Sequence, residues 1–276
     1  MAMGVSPVFV RFAEVGPYTS AFWRVGLALP LLWLWARIDS GGRPVAWRPA
    51  TIVAGLMFSA DLFFWHLSIL NTTMANATLL ATLAPVWVAL GSSLFIGEKV
   101  ERTTIAGIVL CVAGALALVG ASWSFAPERL LGDAYGVATS FFFGAYFLAV
   151  RVARRTTPSG VLLYRSSLVT AAVLLVFATT LESTLWPTTL TGAGALVLLA
   201  FVSHVGGQGL LAYALGHLSA AFSSLVIFLE AIAAAGIGWL VFAEAVTPLQ
   251  AVGGLTILAG IWIARPRPRR AHESVK

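Results

Sequence analysis

Asp61, His204 and Glu230 are residue types that can do chemistry, and each stands deep inside an apolar stretch: "TIVAGLMFSADLFFWHLSIL", "LAFVSHVGGQGLLAYA" and "SSLVIFLEAIAAAG". Where such a stretch crosses a bilayer, an ionised group near its centre costs about 2.5–3.5 kcal/mol, so it faces a cavity, a pathway or a partner. Phe58 and Trp65 lie three and four residues from Asp61 and share its helical face. A carboxylate between two rings is a surface for an ammonium group. The competing reading is a carboxylate tied to a neighbouring helix. Glu230 also has two readings, a structural ion pair or a carboxyl that exchanges protons near neutral pH. Asp61, Glu230 and His204 are therefore the candidates for proton coupling. His204 and Gln208, four residues apart in "SHVGGQG", add a titratable ring and an amide that both donates and accepts. The competing reading for His204 is a hydrogen-bonded packing residue. His66 lies nearer a span end, and no spacing of His, Asp or Glu argues for a metal.

The elements that hold these residues must be membrane helices. Of the 276 residues 59% are hydrophobic and 10% charged, with a mean hydropathy of +0.91; soluble domains carry about 25% charged residues. The single cysteine, Cys111, sits in an apolar run, which excludes a disulfide framework or a cysteine-based zinc site. A net charge of +6 does not indicate nucleic acid, because the basic residues are dispersed over short loops and a tail. Stretches of the 17–25 residues a bilayer requires occur at about 18–38, 50–70, 74–96, 103–121, 132–150, 159–181, 191–213, 217–243 and 247–264, after a partial one at 1–13.

Placing the "RPRPRR" tail in the cytoplasm and letting the spans alternate puts thirteen Lys and Arg inside, with Arg129 the one clear outside residue. Arg11, Arg24 and Arg165 lie in or near spans. Ten spans with both ends inside satisfy this pattern.

The chain also repeats itself. "FIGEKVERTTIAGIVLCVAGALALVG" lies over "VFAEAVTPLQAVGGLTILAGIWIAR" at an offset of 146, matching Glu98 to Glu244, Gly107 to Gly253 and Gly114 to Gly260. "AFWRVGLALP" lies over "LLYRSSLVTA" with Arg24 on Arg165, and Gly4 and Arg11 fall on Gly144 and Arg151. Five spans per copy is odd, so the second copy enters the membrane from the opposite face. That inverted repeat is an arrangement of secondary transporters. The expected fold is an all-α ten-helix bundle with a first repeat at 1–121, a linker at 122–131, a second repeat at 132–264 and a basic tail at 265–276. Residue Gly4 has too few residues before it to match its partner, which predicts that upstream sequence supplies the missing turns. Asp61 and Glu230 fall opposite Gly207 and Ala84, so the repeated scaffold does not demand these acids.

A glutamate at a helix end followed by a Gly-rich apolar helix, once per half, together with "FWR", "LYR" and "GDAYGVATSFFFGAYFLAVRVARR", resembles the EamA-domain branch of the drug/metabolite transporter superfamily. The resemblance covers nearly the whole chain. It implies a bacterial inner-membrane transporter of small metabolites, often amino acids, with no enzymatic activity and no cofactor. The expected substrate site comprises Phe58, Asp61, Trp65, Thr82, Trp87, Tyr146, His204, Gln208 and Glu230. Arg24 with Glu244, and Arg165 with Glu98, are expected toward opposite ends of the bundle, as gating charge pairs or interfacial anchors. An exchanger of anionic or sugar-linked metabolites would instead need cations deep in the bundle. A membrane enzyme would need its polar residues at one face, and a scaffold would tolerate loss of Asp61 and Glu230.

Overall fold

The computed structural model describes residues 6–119, 126–233, 236 and 247–266. Regular structure among them is entirely helical. In chain order the helices are α1 (Ser6–Phe12), α2 (Pro17–Gly26), α3 (Leu29–Asp39), α4 (Pro49–Asn71), α5 (Met74–Ala81), α6 (Ala84–Phe95) and α7 (Arg102–Val119). After a 3-10 turn at Pro127–Arg129 come α8 (Leu130–Arg154), α9 (Ser159–Leu181) and α10 (Leu190–Leu198). A π-helical run at Leu199–Gln208 leads into α11 (Gly209–Ala214). The last two are α12 (Ala220–Ala233), which contains a 3-10 turn at Leu225–Ile227, and α13 (Pro248–Ala264). Seven continuous stretches are long and apolar enough to cross a membrane: Pro17–Asp39, Pro49–Asn71, Asn76–Phe95, Arg102–Val119, Pro127–Arg154, Ser159–Leu181 and Leu190–Ala214. α12 and α13 are apolar but shorter. Glu244, Gly4 and the tail arginines after Arg265 lie outside the described residues.

Prolines set where two of these spans break. A proline ring collides with the carbonyl four residues earlier and donates no N–H. Pro30 and Pro85 therefore forbid a regular helix running past Gly26 and Ala81, and those are the residues at which α2 and α5 end. Each helix resumes three residues later with the proline in its first turn, where a missing N–H costs nothing. Side-chain caps start other helices: Thr73, Thr189, Ser219 and Thr247 each accept a hydrogen bond from a backbone N–H of the first turn. Thr247 and Gln250 form a reciprocal capping box.

Helix pairing follows the small residues. A Cβ on Gly107 would stand 2.6 Å from the Gly260 carbonyl oxygen, and one on Gly114 would stand 2.6 Å from that of Gly253. α7 and α13 therefore run antiparallel in backbone contact, as small residues allow in membranes. Adding 146 to the α7 partner of either contact gives the α13 partner of the other, so the interface is its own image under the sequence repeat. Elsewhere Gly132 packs on the Asn71 carbonyl, and Ser68 Oγ donates to the Gly132 oxygen at 2.9 Å, locking the C-terminal end of α4 to the N-terminal end of α8. The outward surface is apolar: Leu94, Phe95 and Leu190 are 75%, 80% and 92% exposed, as a lipid-facing surface requires.

Candidate functional site

Arg24, Asp61, Tyr146, His204 and Glu230 come together from α2, α4, α8, the π-helical run and α12. Antiparallel packing of α2 on α4 explains the first two. The Tyr18 ring stacks on Phe63 at 5.4 Å and lies 5.8 Å from His66, so two turns further along α2 meets α4 near residue 58. There the Arg24 guanidinium carbon stands 5.9 Å from the centre of the Phe58 ring. Phe58 in turn lies 5.0 Å from Tyr146 and 5.7 Å from His204. Tyr146 donates its hydroxyl hydrogen to Gln208 Oε1 at 3.1 Å, and His204 Nε2 is 2.8 Å from Ser167 Oγ. The π-helical run carries both His204 and Gln208; such widened turns often occur where function bends a helix.

All of Phe58, Asp61, Tyr146, His204 and Gln208 are buried, and Arg24 is 9% exposed. Asp61 and Glu230 both lie within electrostatic reach of the Arg24 guanidinium. Yet among the described residues no ion pair within 4.0 Å joins them, since the one such pair is Arg151 with Glu98. Three buried polar atoms of this group have no hydrogen-bond partner: Arg24 Nε, His204 Nδ1 and Glu230 Oε1. Buried polar groups are normally satisfied; the other unpartnered buried side-chain atoms among the described residues are all Ser or Thr hydroxyls, so every unpartnered ionisable one belongs to this group. No group of three or more His, Cys, Asp or Glu among the described residues could hold a metal ion.

The group lies between two polar rims. At one, Glu98 Oε1 accepts from Arg151 Nε at 2.5 Å and Oε2 accepts from the Ala220 N–H at 3.1 Å. Arg151 and Arg154 also donate to the Leu215 and Ala212 carbonyls, and Arg155 to that of Ile96. Gly97, at φ +68°, makes the turn that presents Glu98. Beside this rim lies a cavity of ≈ 230 Å³ lined by Ser92, Glu98, Thr104, His217, Ser219 and Phe222. At the other rim, Glu182 accepts from the N–H groups of Tyr18 and Thr19 at 2.8 and 2.9 Å, a carboxylate at the N-terminus of α2. Trp23 Nε1 donates to the Leu185 carbonyl at 2.7 Å. Glu14 accepts from the hydroxyls of Thr188 and Thr189 and from the Thr189 N–H. The Thr189 hydroxyl first, with Thr188 and the backbone, holds the Glu14 carboxyl below its ordinary pKa.

Several expectations change on this geometry. Arg24 does not stand at a bundle end: it is in the central group, about 10 Å along the helix from Pro17 at 1.5 Å per residue. Glu98 pairs with Arg151 rather than Arg165. Arg165 instead donates to the Val45 and Ala46 carbonyls and lies over the Trp47 ring at 4.8 Å, which makes it an anchor for the α3–α4 connection. The Trp65 ring lies 4.9 Å from that of His66, and Tyr146 brings a ring beside Phe58 that helical spacing does not give. Trp87 donates to Ser140 Oγ, and Thr82 to the Leu79 carbonyl inside its own span. Sequence reasoning missed Ser167, Glu14 and Glu182, whose partners come from distant segments; a glutamate just beyond an apolar span was the available signal.

Residues 1–120 and 130–265 match the EamA-like transporter family. The chain belongs to the EamA-like transporter family. It is 28% identical over 222 residues to the pseudopaline exporter CntI of Pseudomonas aeruginosa, covering 79% of this chain and 76% of that one. It is 29% identical over 202 residues to an uncharacterized transporter of Archaeoglobus fulgidus, covering 71% of this chain and 69% of that protein. A solved crystal structure shares the fold with a TM-score of 0.81 at 19% identity, over 95% of this chain and 92% of the other. This member of the EamA-like family is thus a multi-pass membrane transporter and not an enzyme.

Proposed function

We propose that this transporter exports small amine-bearing metabolites, amino acids or their relatives, from the cytoplasm across a bacterial inner membrane. The observation that carries the reading is the unsatisfied, buried group around Phe58, in which Asp61 and Glu230 supply acidic partners for an ammonium. The relative that exports pseudopaline supports the direction.

The proposed architecture is ten spans, in two inverted repeats at 1–121 and 132–264, with the C-terminus in the cytoplasm. The self-matching α7–α13 contact supports the repeat. Substrate binds the central group, and the repeats rock about it. Glu98 then serves the cytoplasmic rim and Glu182 the outer one, each joining one repeat to the other, so this arrangement reads as occluded from both faces. Protons bound by Asp61 or Glu230 give the cycle its direction. The buried Arg24 favours a second reading, exchange of anionic metabolites, which the sequence had weighed on the absence of a deep cation.

Metabolites in the medium of cells making the chain, compared with cells making an equal amount of Asp61→Asn, test the proposal. Accumulation of a small set of amine-bearing compounds that depends on Asp61 supports it. Equal accumulation from both assigns Asp61 a structural role, and no accumulation from either rejects export.

A further inference from the structure

We propose that Arg24 receives an anionic group of the transported molecule, so that the substrate is a zwitterion held by Arg24 at one end and by Asp61 and Glu230 at the other. This rests on the transport reading and assigns a residue and a charge pattern to its site.

The chain supplies its own comparison. Arg151, Arg154, Arg155 and Arg165 each donate to carbonyl or carboxylate oxygens, and each can be explained as a structural clamp. Arg24 is more buried than Arg151, yet among the described residues no hydrogen bond reaches it and its Nε is closed off from solvent without a partner. Its guanidinium offers five donors in a planar fork that matches a carboxylate in two places. A buried structural arginine is normally hydrogen-bonded, and an unpaired one offers its fork to an anionic ligand.

The acids of the group are in the same condition. Glu230 Oε1 is buried without a partner, and Asp61 is 6% exposed with no ion pair within 4.0 Å. Arg24 and the two carboxylates attract one another, but only at a distance longer than a salt bridge. A molecule entering between them must satisfy donors and acceptors at once. A simple amine would meet the acids and leave Arg24 unpaired, and a simple anion would do the reverse. A zwitterion fills both needs without adding net charge to a low-dielectric site, where an uncompensated charge is costly. The Phe58 and Tyr146 rings, 5.0 Å apart, form the apolar wall beside it. Tyr146 is fixed by Gln208, and His204 by Ser167, so the walls are held before the ligand arrives.

The test uses the purified full chain in lipid nanodiscs and three matched pools of probe compounds: the protein amino acids, the amines left by removing their carboxylates, and the acids left by removing their amines. Binding is read as ligand-dependent protection from thermal unfolding. The expected result is protection by the amino-acid pool, with apparent affinity at least about ten-fold weaker in Arg24→Gln and partly recovered in Arg24→Lys. Melting of each variant without ligand checks that it is folded; if Arg24→Gln does not fold, Arg24→Lys and the three-pool comparison carry the test. Protection by the amine pool or the acid pool to the same degree overturns the proposal, as does protection by no pool. The export comparison of cells stands apart from this one: loss of export with zwitterion binding intact would sink the transport reading alone.

Discussion

Arg24 and Asp61 show what depth along a chain can and cannot reveal. The type and depth of Asp61, His204 and Glu230 marked them from the sequence, because ionisable groups inside apolar runs have a defined cost. Their company was not marked. Arg24 was assigned to a bundle end by its position near a span start, yet antiparallel packing on α4 brings it level with Phe58. Phe58 and Trp65 were assigned to Asp61 by helical spacing, and the structure adds Tyr146, from another helix, beside Phe58. Spacing within one helix specifies a face; it does not specify which helix covers that face. At this scale Tyr146→Phe is expected to lower stability by about 1 kcal/mol through loss of the hydrogen bond to Gln208, read in denaturation of the purified protein. An unchanged value would mean that Gln208 finds another donor.

Helices were more legible than side-chain partners. Each of the nine full apolar runs contains described helix, because a run of that length has few other ways to satisfy its backbone in lipid. Pro30 and Pro85 end the preceding helices four residues upstream. The π-helical run at Leu199–Gln208 gave no signal, since no pattern of side chains distinguishes one extra residue per turn. Gly107, Gly114, Gly253 and Gly260, matched by the sequence repeat, meet in backbone contact, and those contacts lead to a specific prediction. Gly114→Ala sets a methyl 2.6 Å from a carbonyl oxygen that belongs to the facing backbone and cannot turn aside. It is expected to destabilise by about 1–3 kcal/mol. Gly194→Ala, with nothing within 4 Å, is expected to have little effect or to stabilise slightly in the same thermal assay. Equal losses at both positions would argue that general helix effects, rather than the α7–α13 contact, control stability. A further element-scale expectation concerns Glu98→Gln, which weakens the tie to Arg151 and Ala220. It should raise proteolytic or cysteine-label access at the Glu98–Arg151 rim while leaving the fold intact; unchanged access would show that Glu98 does not close this rim.

On the scale of the whole molecule, the two rims bring together segments far apart in sequence, and that long-range closure was the least legible feature. Glu14 and residues 188 and 189 are joined across more than half the chain. Because the folded structure holds the Glu14 carboxyl below its ordinary pKa, its contact adds stability above the unfolded value and loses it as pH falls through the folded one. Glu14→Gln should therefore melt below the parent at neutral pH, with the gap closing below roughly pH 4; a gap that persists in acid would show that the side chain matters through something other than charge. The central claim is that the buried acidic group carries the transported molecule. The most direct measurement is export by cells making the full chain, beside cells making Asp61→Asn at equal membrane level. The account predicts a small set of amine-bearing metabolites in the medium with the parent and at least about ten-fold less with the variant; the same compounds at the same level from both would contradict it.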